Sequence, residues 1–255
     1  MSMSDKFPEP QPTRRPIAGV RISTVALVGI FAAIAIPAGA AALVLSGGLD
    51  GHHTTVHISQ TGPISKVVVN DAEASVRVIG DPTLSGVSGT ADLNWHGSSQ
   101  TPPLRLDQSL ADGVLTLSKV CLRSDECGGA DITIKVPTAV AVQATTSDGG
   151  IDVSDVTGGV DLQTSNAGIS GDRLGSGNAS MHTSNGGIDV SFSGAPKSIR
   201  AITSNAGVDI TTDGKTAYYD DVDTSNGSLS AKNVRDQHTE NVIYIRTSNA
   251  SISVK

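Results

Sequence analysis

Apolar and polar residues alternate with a period of two over short stretches through the second half of the chain. The alternation is organised around six near-copies of one segment: TSDGGIDV (146–153), TSNAGIS (164–170), TSNGGIDV (183–190), TSNAGVDI (203–210), TSNGSLS (224–230) and TSNASISV (247–254). Four and two residues before the Thr stand Val142/Ala144, Val160/Leu162, Ala179/Met181, Ile199/Ala201 and Ile243/Ile245. Five and seven residues after it stand Ile151/Val153, Ile188/Val190, Val208/Ile210, Leu229/Ala231 and Ile252/Val254. Period two on both arms predicts short half-buried strands either side of a corner. A further apolar position recurs nine or ten residues after the Thr, at Val156, Leu174, Phe192 and Val234, while Gly171 and Asp220 interrupt otherwise apolar columns.

The corner Thr residues step by 18, 19, 20, 21 and 23 residues. A supersecondary unit recurring near 20 residues is the signature of a solenoid. The pattern therefore predicts an all-β fold, a parallel β-solenoid whose chain turns at one place on every rung, about 4.8 Å above the last. Asn166, Asn185, Asn205, Asn226 and Asn249 mark the corners. Asn and Asp tolerate left-handed backbone, Gly costs nothing there, and stacked Asn side chains form amide ladders. The growing step reads as insertion in the return loop opposite the corner. Residues 54–140 hold further strand patterns (KVVV, ASVRVIG, VLTLSKV, DITIKVP) and are expected to form first rungs or a β-cap. The last repeat stops at Lys255 with no cap of its own, so its final strand is expected either to be shielded by a loop or to offer an edge for pairing.

The N-terminus is a different kind of sequence. Thr24 to Leu45 carries no charge in 22 residues, and such a run reaches about 33 Å as a helix, enough for a hydrocarbon core of about 30 Å. Lys6, Arg14, Arg15 and Arg21 precede it against Asp5 and Glu9, which predicts a cytoplasmic N-terminus and an exported C-terminal portion. The competing reading is a cleaved signal peptide, with Ala38-Gly39-Ala40 as the small-residue site. The length of the apolar run and of the tail before it favours a retained anchor. The expected organisation is a disordered cytoplasmic tail (1–21), a transmembrane helix (22–49), a juxtamembrane and β-rich entry region (50–140) and the TSN-repeat solenoid (141–255). The expected place is the cell membrane, as a single-pass protein.

Charge sharpens the division. The chain carries −7 in all, the first 21 residues carry +2, and the exported remainder therefore carries −9. An acidic exported portion is a poor partner for nucleic acid, and none is expected, since such binding rests on neutralising phosphates with Lys and Arg. Cys121 and Cys127, in KVCLRSDECGG, close a short loop between two strand patterns and are expected to form a disulfide outside the cytoplasm.

The β-rich entry, a DITIKVP strand ending in Val-Pro, and the repeated T-S-N/D-G-G-I-D-V units together resemble a bacterial family of uncharacterised "putative adhesin" proteins with β-strand repeats. The resemblance covers roughly residues 55 to 255. It implies a parallel β-solenoid at the cell envelope, and it brings no catalytic residues.

Chemistry is scarce. There is no G-x-S-x-G elbow, phosphate loop, H-E-x-x-H or dinucleotide fingerprint. His52, His53 and His57, in HHTTVH, are metal-capable residues whose simpler reading is an exposed linker beside the membrane. The residue between the two inward positions after each corner is Asp152, Ser170, Asp189, Asp209, Ser230 and Ser253. Adjacent rungs would set Asp189 and Asp209 about 5 Å apart, where a calcium ion would relieve their repulsion. Asp152, Asp189 and Asp209 are therefore the candidate metal ligands, against the plainer reading of a solvated stripe; no other cofactor is expected. A polysaccharide-acting enzyme needs paired carboxylates beside a base, and Arg173, Lys197, Arg200 and Arg246 lie on different segments. Trp95, Tyr218, Tyr219 and Tyr244 are the few aromatic platforms for a sugar. The sequence thus predicts a non-enzymatic envelope protein whose solenoid is an adhesin-like interaction surface for an envelope polymer or protein. Self-association through the last rung is the alternative.

Overall fold

The computed structural model describes residues 51–97, 101–123 and 126–255, where the regular structure is all β. The apolar N-terminal run and the tail before it lie outside the described residues. Among the described residues no helix is long and apolar enough to cross a membrane.

The entry region supplies β1 (Gly51–Gln60), β2 (Lys66–Asn70), β3 (Ala74–Gly80), β4 (Val87–His96), β5 (Leu104–Ala111), β6 (Val114–Cys121) and β7 (Cys127–Val136). The corners then divide β8 (Ala141–Thr145) from β9 (Ile151–Ser154), β10 (Val160–Gln163) from β11 (Ile169–Leu174), and β12 (Ala179–His182) from β13 (Ile188–Phe192). They likewise divide β14 (Ser198–Ile202) from β15 (Val208–Thr211), β16 (Tyr219–Thr224) from β17 (Leu229–Ala231), and β18 (Val242–Thr247) from β19 (Ile252–Val254).

These strands make two largely parallel sheets, a solenoid-like arrangement. One runs β1-β4-β7-β3-β9-β11-β13-β15-β19-β17, the other β16-β18-β14-β12-β10-β8-β2-β6-β5. The arm before each corner lies in the second sheet and the arm after it in the first. Two entry rungs, β2/β3 and β6/β7, join this stack in parallel, and β1, β4 and β5 close its foot with antiparallel pairs. The alternating columns point inward as the pattern requires: Val142, Leu162, Met181, Ile199 and Ile243 from one sheet and Ile151, Ile188, Val208 and Ile252 from the other are buried in one continuous core. Val156, Leu174 and Phe192 are buried with them, whereas Val234 is 43% exposed and departs from its predicted column.

The corner explains the word T-S-N residue by residue. From the second corner on, each corner Thr hydroxyl donates to a corner carbonyl of the rung below: Thr164 to Gly149, Thr183 to Ala167, Thr203 to Gly186, Thr247 to Ala206 and the half-buried Thr224 to Ala250. The Ser carbonyl accepts the amides above it, as Ser147 does from Ser165 and Asn166. The Asn amides form an unbroken ladder, Asn166 donating to Asp148 at 2.7 Å, Asn185 to Asn166, Asn205 to Asn185 and Asn249 to Asn205 at 2.8 Å, and Asn226 to Asn249 at 3.1 Å. Left-handed backbone plays no part here. Among the described residues, the positive-φ residues other than Gly are Asp112, Asp155 and Arg173, and the glycines with positive φ are Gly62, Gly97, Gly113 and Gly214, none of them at a corner. Corner glycines serve close approach instead. A Cβ at Gly149, Gly186 or Gly227 would sit 1.7, 1.7 and 1.9 Å from the carbonyl oxygen of Ala74, Ala167 and Ala250.

Both ladders also reveal that rung order differs from chain order. The last repeat does not end the stack: β18 lies between β14 and β16, and β19 between β15 and β17. Ile252 faces inward as its column predicts, at 1% exposure, and its strand is covered by β17 and not by a loop. The physical reason lies in the two sequences. The last repeat presents Ile243, Ile245, Ile252 and Val254, all buried, while the fifth puts Asp220 in the inward column and has its arms largely open to solvent. The apolar rung takes the two-sided position, and the polar rung takes the end, where one side faces water.

Candidate functional site

The outer surface of the ten-stranded sheet carries the residues that alternate with the buried ones. One row crosses eight strands in register: Thr133, Arg77, Asp152, Ser170, Asp189, Asp209, Ser253 and Ser230. The sequence-predicted column is thus one continuous stripe, extended at its foot by Arg77 and Thr133. There the sheet is hollowed into an open groove of about 370 Å³, lined by Ser75, Arg77, Asp131, Thr133, Asp152 and Ser170 with Gly150 and Gly168 beneath. Glycine gives this groove its depth: no side chain stands where the chain leaves the corners. Arg77 and Asp152 face each other across adjacent strands at 3.2 Å, both half exposed. The groove therefore offers hydroxyls, a guanidinium and carboxylates side by side, suited to hydrogen-bonding an extended polar chain.

Arg77 also divides the three candidate metal ligands. Its charge is spent on Asp152, which leaves Asp189 and Asp209 as the in-register carboxylates of neighbouring rungs, flanked by Ser170 and Ser253. Among the described residues no three His, Cys, Asp or Glu side chains gather closely enough to hold a metal ion. The histidines of HHTTVH belong to β1, which pairs along its whole length with β4, so they are not in a linker. His52 stacks on Trp95 with ring centroids 5.4 Å apart, and the strand period turns it away from His53 and His57. Trp95 itself is buried at 3% exposure and offers no open platform.

Two arginines scattered in sequence come together on the nine-stranded sheet. Arg200 and Arg246 lie over Tyr244, 4.6 and 4.2 Å from its ring centroid. Arg246 also binds Asp221 at 2.5 Å, and that hydrogen bond holds its guanidinium pKa above the usual value. Arg173 sits elsewhere, paired with Asp155 and Asp172 on the return side, where the Arg173 hydrogen bonds hold the Asp155 carboxyl below the usual range. Of the tyrosines, Tyr218 is fully buried, with its hydroxyl pushed up to about 12 by burial, and Tyr219 is exposed. Cys121 and Cys127 are joined in a disulfide across the β6–β7 connection, with Cα atoms 5.7 Å apart.

Arg77 was not singled out from the sequence, although the alternation of ASVRVIG already turns it outward; its partner on the next rung depends on a register that only the fold supplies. No protein-family model matches the chain, and no curated protein matches it either. Among solved structures the chain is similar to a "putative cell adhesion protein" from Clostridium sporogenes, at 9% identity and a TM-score of 0.44, over 80% of this chain and 99% of that one. It is also similar to a "putative adhesin" from Parabacteroides merdae, at 9% identity and a TM-score of 0.31, over 80% and 96%.

Proposed function

We propose that the chain is a non-enzymatic, membrane-anchored envelope protein whose exported solenoid binds an extended polar polymer along the outer stripe of its ten-stranded sheet. The observation that carries this reading is the glycine-floored groove at Arg77, Asp152 and Ser170, continuous with a row of Asp and Ser on successive rungs. Repeating donors and acceptors about 4.8 Å apart match a ligand that itself repeats. The uncharged Thr24–Leu45 run, with cationic residues before it, supports anchoring and an outward-facing solenoid.

Co-sedimentation of the purified chain with isolated bacterial cell-wall material tests the reading. Saturable binding is expected, weakened about tenfold or more, roughly 1.4 kcal/mol, by Ser170→Tyr, which fills the groove. Equal binding by parent and variant would place recognition elsewhere, and no binding by either would sink the reading. A parallel titration with calcium and with chelator separates a cation-dependent Asp189/Asp209 contact from plain hydrogen bonding.

A second reading rests on the end rung. Tyr219, Leu229 and Val234 are 45%, 52% and 43% exposed beside the outermost strands β16 and β17. An unpaired strand edge flanked by these exposed apolar side chains invites a second copy of the same chain. Sedimentation velocity of the parent against Leu229→Asp checks this: a concentration-dependent dimer lost in the variant supports self-association, and a monomer in both removes it.

A further inference from the structure

The entry rungs hold a buried amine beside a buried carboxyl that neither the groove nor the ladders use. Lys119 lies in β6 and Asp71 just after β2, and these strands are parallel neighbours with Asn70 opposite Ser118, so the two residues face each other one step further on. The Lys119 and Asp71 side chains are 6% and 1% exposed, and Lys119 Nζ lies 3.3 Å from Asp71 Oδ1. Two acceptors take hydrogens from the same nitrogen: Glu73 Oε2 at 3.0 Å and the Gly128 carbonyl at 2.5 Å.

Three oxygens around Nζ suit the three donors of an ammonium, and the same placement also sets an amine against a carboxyl as a reacting pair. An uncharged amine has two N–H bonds and one lone pair. The two N–H directions are taken by Glu73 and Gly128, which leaves the lone pair for the third neighbour, the Asp71 carboxyl. On that carboxyl, Oδ1 accepts the Glu73 backbone N–H at 3.0 Å, a donor placed to stabilise negative charge as the carbonyl is attacked. Oδ2 is buried and has no hydrogen-bond partner. An orphaned buried oxygen is costly in a finished structure, and it is the atom that would depart.

We propose that Lys119 and Asp71 condense, with Glu73 carrying the proton, into an intramolecular isopeptide bond that ties β6 to the end of β2. The reactive form has the lone pair on Lys119 Nζ and the acid proton on Asp71 Oδ2. The Nζ–Cγ bond forms, one amine hydrogen passes to the Glu73 carboxylate, and Glu73 returns a proton to Oδ2. The Cγ–Oδ2 bond then breaks and Oδ2 leaves as water. One amide and one water replace one amine and one acid; nothing is oxidised or reduced, and Glu73 is regenerated. The half-exposed Glu73 side chain opens a path for the water to leave. The product also replaces two charges held out of solvent by a neutral amide, which removes a desolvation penalty. This cross-link stands independently of the polymer-binding reading.

Tandem mass spectrometry of a reduced tryptic digest of the purified full chain tests it. The expected product is a branched peptide joining Val67–Arg77 to Leu106–Arg123, lighter than the two together by one water and uncut after Lys119. It should be absent in Lys119→Arg and in Asp71→Ala, each checked for β structure by circular dichroism, and its fraction should fall about tenfold or more in Glu73→Gln at equal age. Recovery of Val67–Arg77 as a linear peptide, with full cleavage after Lys119 in long-incubated parent protein, would overturn the proposal and leave an ordinary buried ion pair. A bond that forms equally well in Glu73→Gln would overturn the role of Glu73.

Discussion

At the scale of single residues the corner separates two kinds of glycine. Gly186 meets the Ala167 carbonyl oxygen at 1.7 Å from where its Cβ would be, whereas the nearest atom to a Cβ on Gly187 is the Gly207 oxygen at 3.5 Å. Gly186→Ala should therefore destabilise the fold by about 3 kcal/mol, the upper end of the overpacking range, because the obstacle is backbone and cannot turn aside. Gly187→Ala should change stability by about 1 kcal/mol or less, and the restricted unfolded chain can make it a gain. Urea midpoints compare the two directly, and equal losses would refute the assignment. Thr183 supplies a second test. Its hydroxyl donates to Ala167 and accepts from the Gly186 N–H within a fully buried site. Thr183→Val keeps the shape, leaves both groups short of a partner, and should cost about 1–3 kcal/mol. The Asn ladder was legible from the repeated letter alone. The Thr ladder was not, because a buried hydroxyl and a surface hydroxyl look alike until the carbonyl opposite is known.

At the scale of the element, the end rung is held less by packing than by tolerated polarity. Asp220 fills an inward position of β16 with a side chain only 8% exposed. Burial raises its pKa, while the Asn233 hydrogen bond and the charge of Arg235 act the other way with smaller effect. A carboxyl whose folded pKa lies above its unfolded value holds its proton more tightly in the native state. Stability is then greatest below the ordinary carboxylate pKa and falls as pH rises through the folded value. Asp220→Asn keeps an acceptor for Asn233 Nδ2 and removes the ionisation, so at pH 7 the variant should unfold at higher urea than the parent. The gap should close once the pH drops below about 4. A gap that persists at acid pH would mean that Asp220 acts through packing and not through charge. The sequence did flag Asp220 as a break in its column. It gave no indication that the break marks the end of the stack, because the position of a rung among its neighbours is not written in its own residues.

At the scale of the molecule, strand patterns, inward columns and corner spacing were all readable because a solenoid repeats one local environment, and local environments are what periodicity reports. Rung order was not readable, since TSNGSLS and TSNASIS present nearly the same corner to a neighbour. Nor was the meeting of Lys119 with Asp71, or of Arg77 with Asp152, since each joins segments far apart in the chain. The interchanged order has a consequence that a simple linear stack lacks. In a linear stack, removing the last repeat strips one rung and leaves the rest paired. Here β18 and β19 are the partners that hold β16 and β17 to the body, so a chain ending at residue 241 should lose two rungs at once. Hydrogen exchange on that truncated chain should show residues 219–231 exchanging as unfolded, while 141–202 keep the protection of the parent. If 219–231 stay protected, the fifth repeat has docked directly on β14 and β15, and the interior place of the last rung is a preference for its four buried aliphatic side chains and not a requirement of the fold.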